Sequence, residues 1–188
     1  MRFQIVPVEN PALEELIAEP GPARLGPQPR ASRLPVERIE AALIKAFGMA
    51  KLALPTQSLV RSAILLWHDH LDASHQISQG IHHPDGGYLH GIMHRREPDY
   101  GNAKYWFRSV GAHPCYPAVL SAIGEASSLP ASPAFMRACV AAGRWDPFAF
   151  VDASEASAHL PLGHMDVQVL EQVQEIEMRV LLNHFLET

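Results

Sequence analysis

The chain has 188 residues, of which 47% are hydrophobic and 19% charged, so we expect one globular domain rather than two of ordinary size. Its formal net charge of −5 excludes the basic footprint of a nucleic-acid-binding protein, and the absence of a run of about eighteen apolar residues excludes a predicted membrane span. The two cysteines, Cys115 and Cys139, are too few for a disulfide framework, and we therefore expect a cytoplasmic protein.

The N-terminal segment is rich in proline and carries seven of the sixteen prolines within residues 1–35. Its composition predicts an extended arm over residues 1–34, followed by a helical domain over residues 35–188. Within the arm, Asn10 precedes Pro11, and this pair is a typical helix start because asparagine caps orphan amides and proline fits the first turn. A short helix is predicted over 11–18.

Two helices are predicted next. The first begins at residue 35, has Ile39, Leu43 and Phe47 at spacings of four, and is expected to end at Gly48. The second is predicted as one long helix over residues 55–80, because its apolar and polar positions separate onto two sides.

The rest of the chain also has helical periodicity. A turn is predicted over 82–87, and helices over 88–96, 99–110, 117–126, 133–143 and 166–186. On the last helix, Glu171, Glu175 and Arg179 are expected to face solvent. The predicted fold class is all-α, a single-domain multi-helix bundle with an extended Pro-rich N-terminal arm.

Histidine is concentrated in one part of the chain, since eight of the eleven histidines lie between residues 68 and 113. His68, Asp72 and His75 fall within a narrow arc of the predicted long helix, and His90 and His94 are four apart on the following helix. If the two helices form a hairpin through the intervening turn, the imidazoles of one can face those of the other. Helical bundles assemble metal sites in this way.

Imidazole and carboxylate are suitable donors for Zn²⁺, Mn²⁺ or Fe²⁺. The predicted metal ligands are His68, His75, His90 and His94. Asp72 and Glu97 are the candidate catalytic bases, with Asp72 also a candidate carboxylate ligand. The other reading is that these histidines are surface or core residues without a ligand, since no recognised zincin spacing is present.

The segment after this cluster combines aromatic and basic side chains. We expect Arg95, Arg96, Lys104 and Arg108 to neutralise substrate charge, and Asn102 and Trp106 to hydrogen-bond and stack against a ligand. Alternatively, the aromatic residues fill the core and the cations are solvated. The histidines at 159, 164 and 184 are interpreted as structural or surface groups. Cys115 follows His113 by two residues, but proximity in sequence does not define a nucleophile and its base.

The segments HDHLDASHQISQ and HRREPDYGNAKYWFRSVGAHP resemble a family of small bacterial and fungal proteins with no known activity. The resemblance covers about residues 55 to 120 and implies no substrate or cofactor.

These patterns lead to three hypotheses of function. The first is a metal-dependent enzyme that acts on a small anionic molecule. Hydrolysis is the favoured reaction, and oxygenation is the second choice. The second is a non-catalytic binding protein that uses the helix over residues 99–109. The third is a structural protein that forms a homo-oligomer through its last helix.

Overall fold

The structure is a computed structural model that describes residues 6–18, 21–127 and 133–187. Within these ranges the regular structure consists of ten α-helices and no strand, as the predicted all-α class requires. The helices are α1 Pro11–Ala18, α2 Val36–Ala50, α3 Leu54–Trp67, α4 Leu71–Ser78, α5 Pro84–Arg96, α6 Tyr100–Val110, α7 Tyr116–Ser127, α8 Ala134–Ala142, α9 Pro147–Ser157 and α10 Met165–Glu187.

Side-chain caps mark the start of several helices, among them α1, α6 and α9. The prediction for α1 is confirmed, since Oδ1 of Asn10 accepts from the amides of Ala12 at 3.1 Å and Leu13 at 3.2 Å. The predicted end of α2 at Gly48 is wrong. The helix continues through Gly48 and ends beside Lys51, which adopts a left-handed conformation with φ of 51°. A single glycine inside a helix costs about 1 kcal/mol, which the buried face of α2 offsets.

The single helix predicted over residues 55–80 is also wrong, because the chain breaks between α3 and α4. Asp69 lies at the break with φ of 63°, and its carboxylate is buried. It accepts from Nε of Arg30 at 2.7 Å and from Nη2 of Arg96 at 2.5 Å. Burial raises the pKa of this carboxyl, but the hydrogen bonds from Arg30 and the charge on Arg96 outweigh it, so its pKa is lowered. The two ion pairs therefore hold the break.

Helix α10 lies in the middle of the protein and packs against α3, α7 and α9. Its predicted bounds agree with the structure to within one residue at each end, but its predicted exposed face is wrong. Glu171, Glu175 and Arg179 are all buried. Arg179 pairs with Glu175 at 2.9 Å and with Glu14 of α1 at 2.8 Å. The charges on α10 thus hold other parts of the chain against it.

The segment over residues 21–35 contains no helix, yet Ala23 and Leu25 are buried in the core. Nε2 of Gln174 on α10 donates to the carbonyls of Ala23 at 3.1 Å and Arg24 at 3.0 Å. The division into an arm and a domain at residue 34 stays a prediction.

Helix α9 was not predicted. It begins after Asp146, whose Oδ1 accepts from the amides of Phe148 at 3.0 Å and Ala149 at 3.2 Å. The loop predicted between α7 and α8 lies, for residues 128–132, outside the described residues. Among the residues that are described, no helix is both long and apolar enough to cross a bilayer.

Candidate metal centre

The predicted neighbours α4 and α5 pack together and bring His75 opposite His90 and His94. One donor atom from each imidazole can be chosen so that all three lie within 4.8 Å of one another. The ring centroids are 4.6 Å apart for His75 and His90, 5.4 Å for His75 and His94, and 4.8 Å for His90 and His94. Three of the four predicted ligands therefore form one cluster.

Two glycines of α5 let α6 approach the cluster closely. A Cβ atom at Gly91 would lie 2.9 Å from the ring of Phe107, and one at Gly87 would lie 3.0 Å from Cγ2 of Val110. This approach places the Trp106 ring on His90, with centroids 4.0 Å apart and planes inclined by 20°. The α6 helix thus forms one wall of the site.

The environment of His94 fixes which of its nitrogens can bind a metal. Nδ1 lies 3.1 Å from Oε2 of Glu97, and Nε2 lies 3.1 Å from Nδ2 of Asn102. Since a carboxylate only accepts, we assign the proton to Nδ1, which leaves the lone pair of Nε2 for an amide proton or a metal ion. A ligand histidine that donates its other ring proton to a carboxylate is the usual arrangement in zinc sites.

Burial favours the neutral form of two of these imidazoles, His90 and His94. It lowers the pKa of His90 to about 4, and the neighbouring His94 and His75 add to this effect. Burial also lowers the pKa of His94, although Glu97 opposes the change. Nδ1 of His90 is buried and has no hydrogen-bond partner among the described residues. Neutral imidazoles offer the lone pairs that metal binding requires.

The fourth predicted ligand, His68, lies outside this cluster. It is buried at the end of α3, where Nε2 donates to the carbonyl of Leu16 at 2.9 Å and Nδ1 accepts from the amide of Leu34 at 3.3 Å. Both ring nitrogens are therefore used by the backbone. The candidate base Asp72 is exposed on the first turn of α4 and does not belong to the group of convergent donors.

The structure gives Arg95 and Arg96 roles other than the predicted substrate binding. Both side chains are fully buried. Arg95 pairs with Glu177 at 2.6 Å and lies over the Phe150 ring at 4.0 Å, while Arg96 pairs with Asp69. Burial lowers the pKa of Arg96 to about 10, so it is still cationic at neutral pH. These guanidinium groups hold α5 to its neighbours, which corrects the prediction.

Two further cations were assigned to substrate binding. Lys104 pairs with Asp152 of α9 at 2.6 Å and approaches Glu155 at 3.7 Å. Arg108 is exposed on α6. Of the four predicted cations, Arg108 alone is exposed.

Sequence reasoning missed a second group of convergent donors formed by Asp85, His113 and His184. The His113 imidazole lies 28 residues from Asp85 in sequence and that of His184 lies 99 residues away, so no local spacing could reveal the group. The sequence placed Asp85 in a turn over 82–87, and this prediction is wrong from residue 84 on, because α5 begins at Pro84 and includes Asp85.

No protein-family model, curated protein or solved structure matches the chain. The resemblance drawn from the sequence therefore stays a prediction, and the site is interpreted from its own geometry.

Proposed function

We propose that the protein is a metal-dependent hydrolase of a small molecule, with the ion held by His75, His90 and His94. The supporting observation is the convergence of three imidazoles from two helices, two of them kept neutral by burial. A donor set made only of nitrogen favours Zn²⁺ or Fe²⁺ over Mn²⁺, which prefers oxygen.

Three protein ligands would leave one position open for water, and a bound divalent ion would supply a nucleophile at neutral pH by lowering the pKa of that water. Glu97 is the candidate base that contacts the site, since its Oε2 accepts from His94. Its side chain is 33% exposed, so the carboxylate is close enough to water to act as a base. We therefore assign the base to Glu97 and not to Asp72.

We still propose an anionic substrate, but the positive charge that attracts it comes mainly from the metal ion and not from the basic side chains. Arg95, Arg96 and Lys104 are all paired with carboxylates, as described above. A divalent ion bound by three neutral imidazoles retains its full charge and attracts an anion directly. Arg108, exposed on α6, can add to this attraction.

The test is metal analysis and hydrolysis with the same untagged protein, before and after treatment with a chelator. We expect the His75→Ala/His94→Ala double variant to lose one equivalent of metal relative to the wild type while its helical circular dichroism is unchanged. The exposed His164 supplies the control, His164→Ala. Full metal content in the double variant would refute the ligand assignment.

The reaction is tested with p-nitrophenyl phosphate and p-nitrophenyl acetate. We expect hydrolysis that the chelator abolishes and Zn²⁺ or Fe²⁺ restores, with the phosphate ester preferred because it is anionic. Metal binding without hydrolysis of either ester would reject the hydrolase and favour the binding protein.

A further inference from the structure

A second cluster of donors lies at the other end of α5 from Arg96. Oδ1 of Asp85, on the first turn of α5, lies 2.9 Å from Nε2 of His113 and 3.1 Å from Nε2 of His184. The three donor atoms lie within 4.8 Å of one another. His113 comes from the loop before α7, and His184 from the last turn of α10. Three distant parts of the chain thus converge on one point.

The spacing of these donors suits a small divalent cation. Bond lengths of 2.0–2.2 Å in a tetrahedral zinc site place neighbouring donors about 3.3 Å apart. The distances from Oδ1 of Asp85 to the two Nε2 atoms, 2.9 Å and 3.1 Å, need to increase by only a few tenths of an ångström. Two imidazoles and one carboxylate are a donor set that both Zn²⁺ and Fe²⁺ accept.

The polar atoms of His113 and Asp85 that face away from the cluster also have contacts with neighbouring side chains. Nδ1 of His113 lies 3.0 Å from Sγ of Cys115, and Oδ2 of Asp85 lies 2.9 Å from Nδ1 of His83. Nδ1 of His113 also accepts from the backbone amide of Cys115 at 3.3 Å, so the ring proton lies on Nε2 and is donated to Asp85. Binding a metal at Nε2 requires this proton to leave or to move to Nδ1, beside Sγ. Such outer contacts orient the ligands in metal sites.

The contact between Cys115 and His113 has another reading, a thiolate nucleophile with its base. Burial raises the pKa of the Cys115 thiol, and the nearby Glu177 and Asp85 carboxylates raise it further. A raised thiol pKa disfavours a thiolate nucleophile at this position.

A cavity of about 440 Å³ opens beside the cluster and is lined by both Cys115 and His184. Its described lining includes the acidic residues Glu9 and Glu187, and no lysine or arginine. Since a cavity with carboxylates and no cationic side chain attracts positive ions, its lining favours a cation over an anionic ligand. His184, whose side chain is 14% exposed, connects the cavity to the buried donors.

We propose that Asp85, His113 and His184 bind a second divalent cation, Zn²⁺ or Fe²⁺, that enters through this cavity. The site is separate from the His75, His90 and His94 centre in every ligand, so it does not depend on the proposed function.

The experiment is a titration of the untagged, metal-free full chain with Co²⁺, followed by visible absorption and by elemental analysis. The wild type should bind two equivalents. The His184→Gln variant, changed at the most exposed ligand, should bind one, and so should Asp85→Asn, which conserves side-chain shape. The His75→Ala/His94→Ala variant should still bind one equivalent of Co²⁺, the one that is lost in His184→Gln. The control is His159→Gln, which changes an exposed histidine and should bind two equivalents.

Three results would overturn the proposal. The first is a stoichiometry in both His184→Gln and Asp85→Asn equal to that of the wild type. The second is a wild type that binds one equivalent and loses it in the His75→Ala/His94→Ala variant. Loss of both equivalents in that variant, with helicity intact, would also count against a separate site. If only the proposal for His75, His90 and His94 is wrong, the wild type should bind one equivalent of Co²⁺, and the His184→Gln variant should lose it.

Discussion

The buried His68 makes stability depend on pH in a defined direction. Its pKa falls from 6.5 to about 4, chiefly because burial penalises the charged ring, although the hydrogen bond to Leu16 opposes the fall. The unfolded chain therefore binds a proton between pH 6.5 and pH 4 that the folded chain does not. The stability that the neutral ring contributes is present above pH 6.5 and is lost as pH falls toward 4.

The whole pKa shift of His68 corresponds to a change of about 3 kcal/mol in the free energy of unfolding. About 2 kcal/mol of this change falls between pH 7 and pH 5. In the His68→Gln variant the amide can still donate to the Leu16 carbonyl, but it does not titrate. We expect this variant to be less stable at pH 7 and to lose about 2 kcal/mol less than the wild type between pH 7 and pH 5.

The assay is urea unfolding at pH 7, 6 and 5, with a chelator present so that metal release does not add to the pH dependence. His164→Gln controls for the loss of one histidine at an exposed position. Equal pH slopes in His68→Gln and the wild type would refute the reasoning, because they would mean that His68 does not resist protonation in the folded protein.

Substitutions at three other positions test the architecture around the site. Asp69→Asn, which tolerates the left-handed backbone, should cost about 3–5 kcal/mol in urea unfolding because two buried guanidinium groups lose their countercharge; a loss below 1 kcal/mol would contradict this. Gly91→Ala should cost about 1–3 kcal/mol, since its Cβ meets the Phe107 ring at 2.9 Å, and an unchanged thermal midpoint would show that α6 can move away. Glu97→Ala should weaken metal binding by about 10–100-fold in competition with a chromogenic chelator, whereas Glu97→Gln, which still accepts from His94, should weaken it less. Equal losses in the two variants would contradict the orienting hydrogen bond.

The features that the sequence predicted are local ones. Asn10 before Pro11 marks the start of α1, and Asp99 accepts from the Asn102 amide at the start of α6. The spacing of His90 and His94 indicated a shared face because helical geometry fixes the direction of residues four apart. Cap chemistry and periodicity act within a few residues and can therefore be read from one sequence.

The features that the sequence could not predict depend on distant partners. The break at Asp69 is held by Arg30 and Arg96, 39 and 27 residues away. In the sequence, Arg95 resembles a solvated charge at the end of a helix. Its partner Glu177 lies 82 residues further along the chain, so the ion pair is visible only in the fold. The same argument explains why His184 was interpreted as a structural or surface group and not as part of a site. A charged residue shows in sequence what it can pair with, but not what the fold places next to it.

The contrast between His68 and His90 shows what separates a structural histidine from a candidate ligand. Both rings are buried, and in both the pKa is lowered to about 4, mainly by burial. The difference lies in their hydrogen bonds: both nitrogens of His68 contact backbone groups, whereas Nδ1 of His90 has no partner among the described residues. A buried polar atom without a partner costs about 1–3 kcal/mol unless a water or a ligand reaches it. The cost is accounted for if the His90 cluster exists to bind an ion, and this is the physical reason for placing the site there and not at His68.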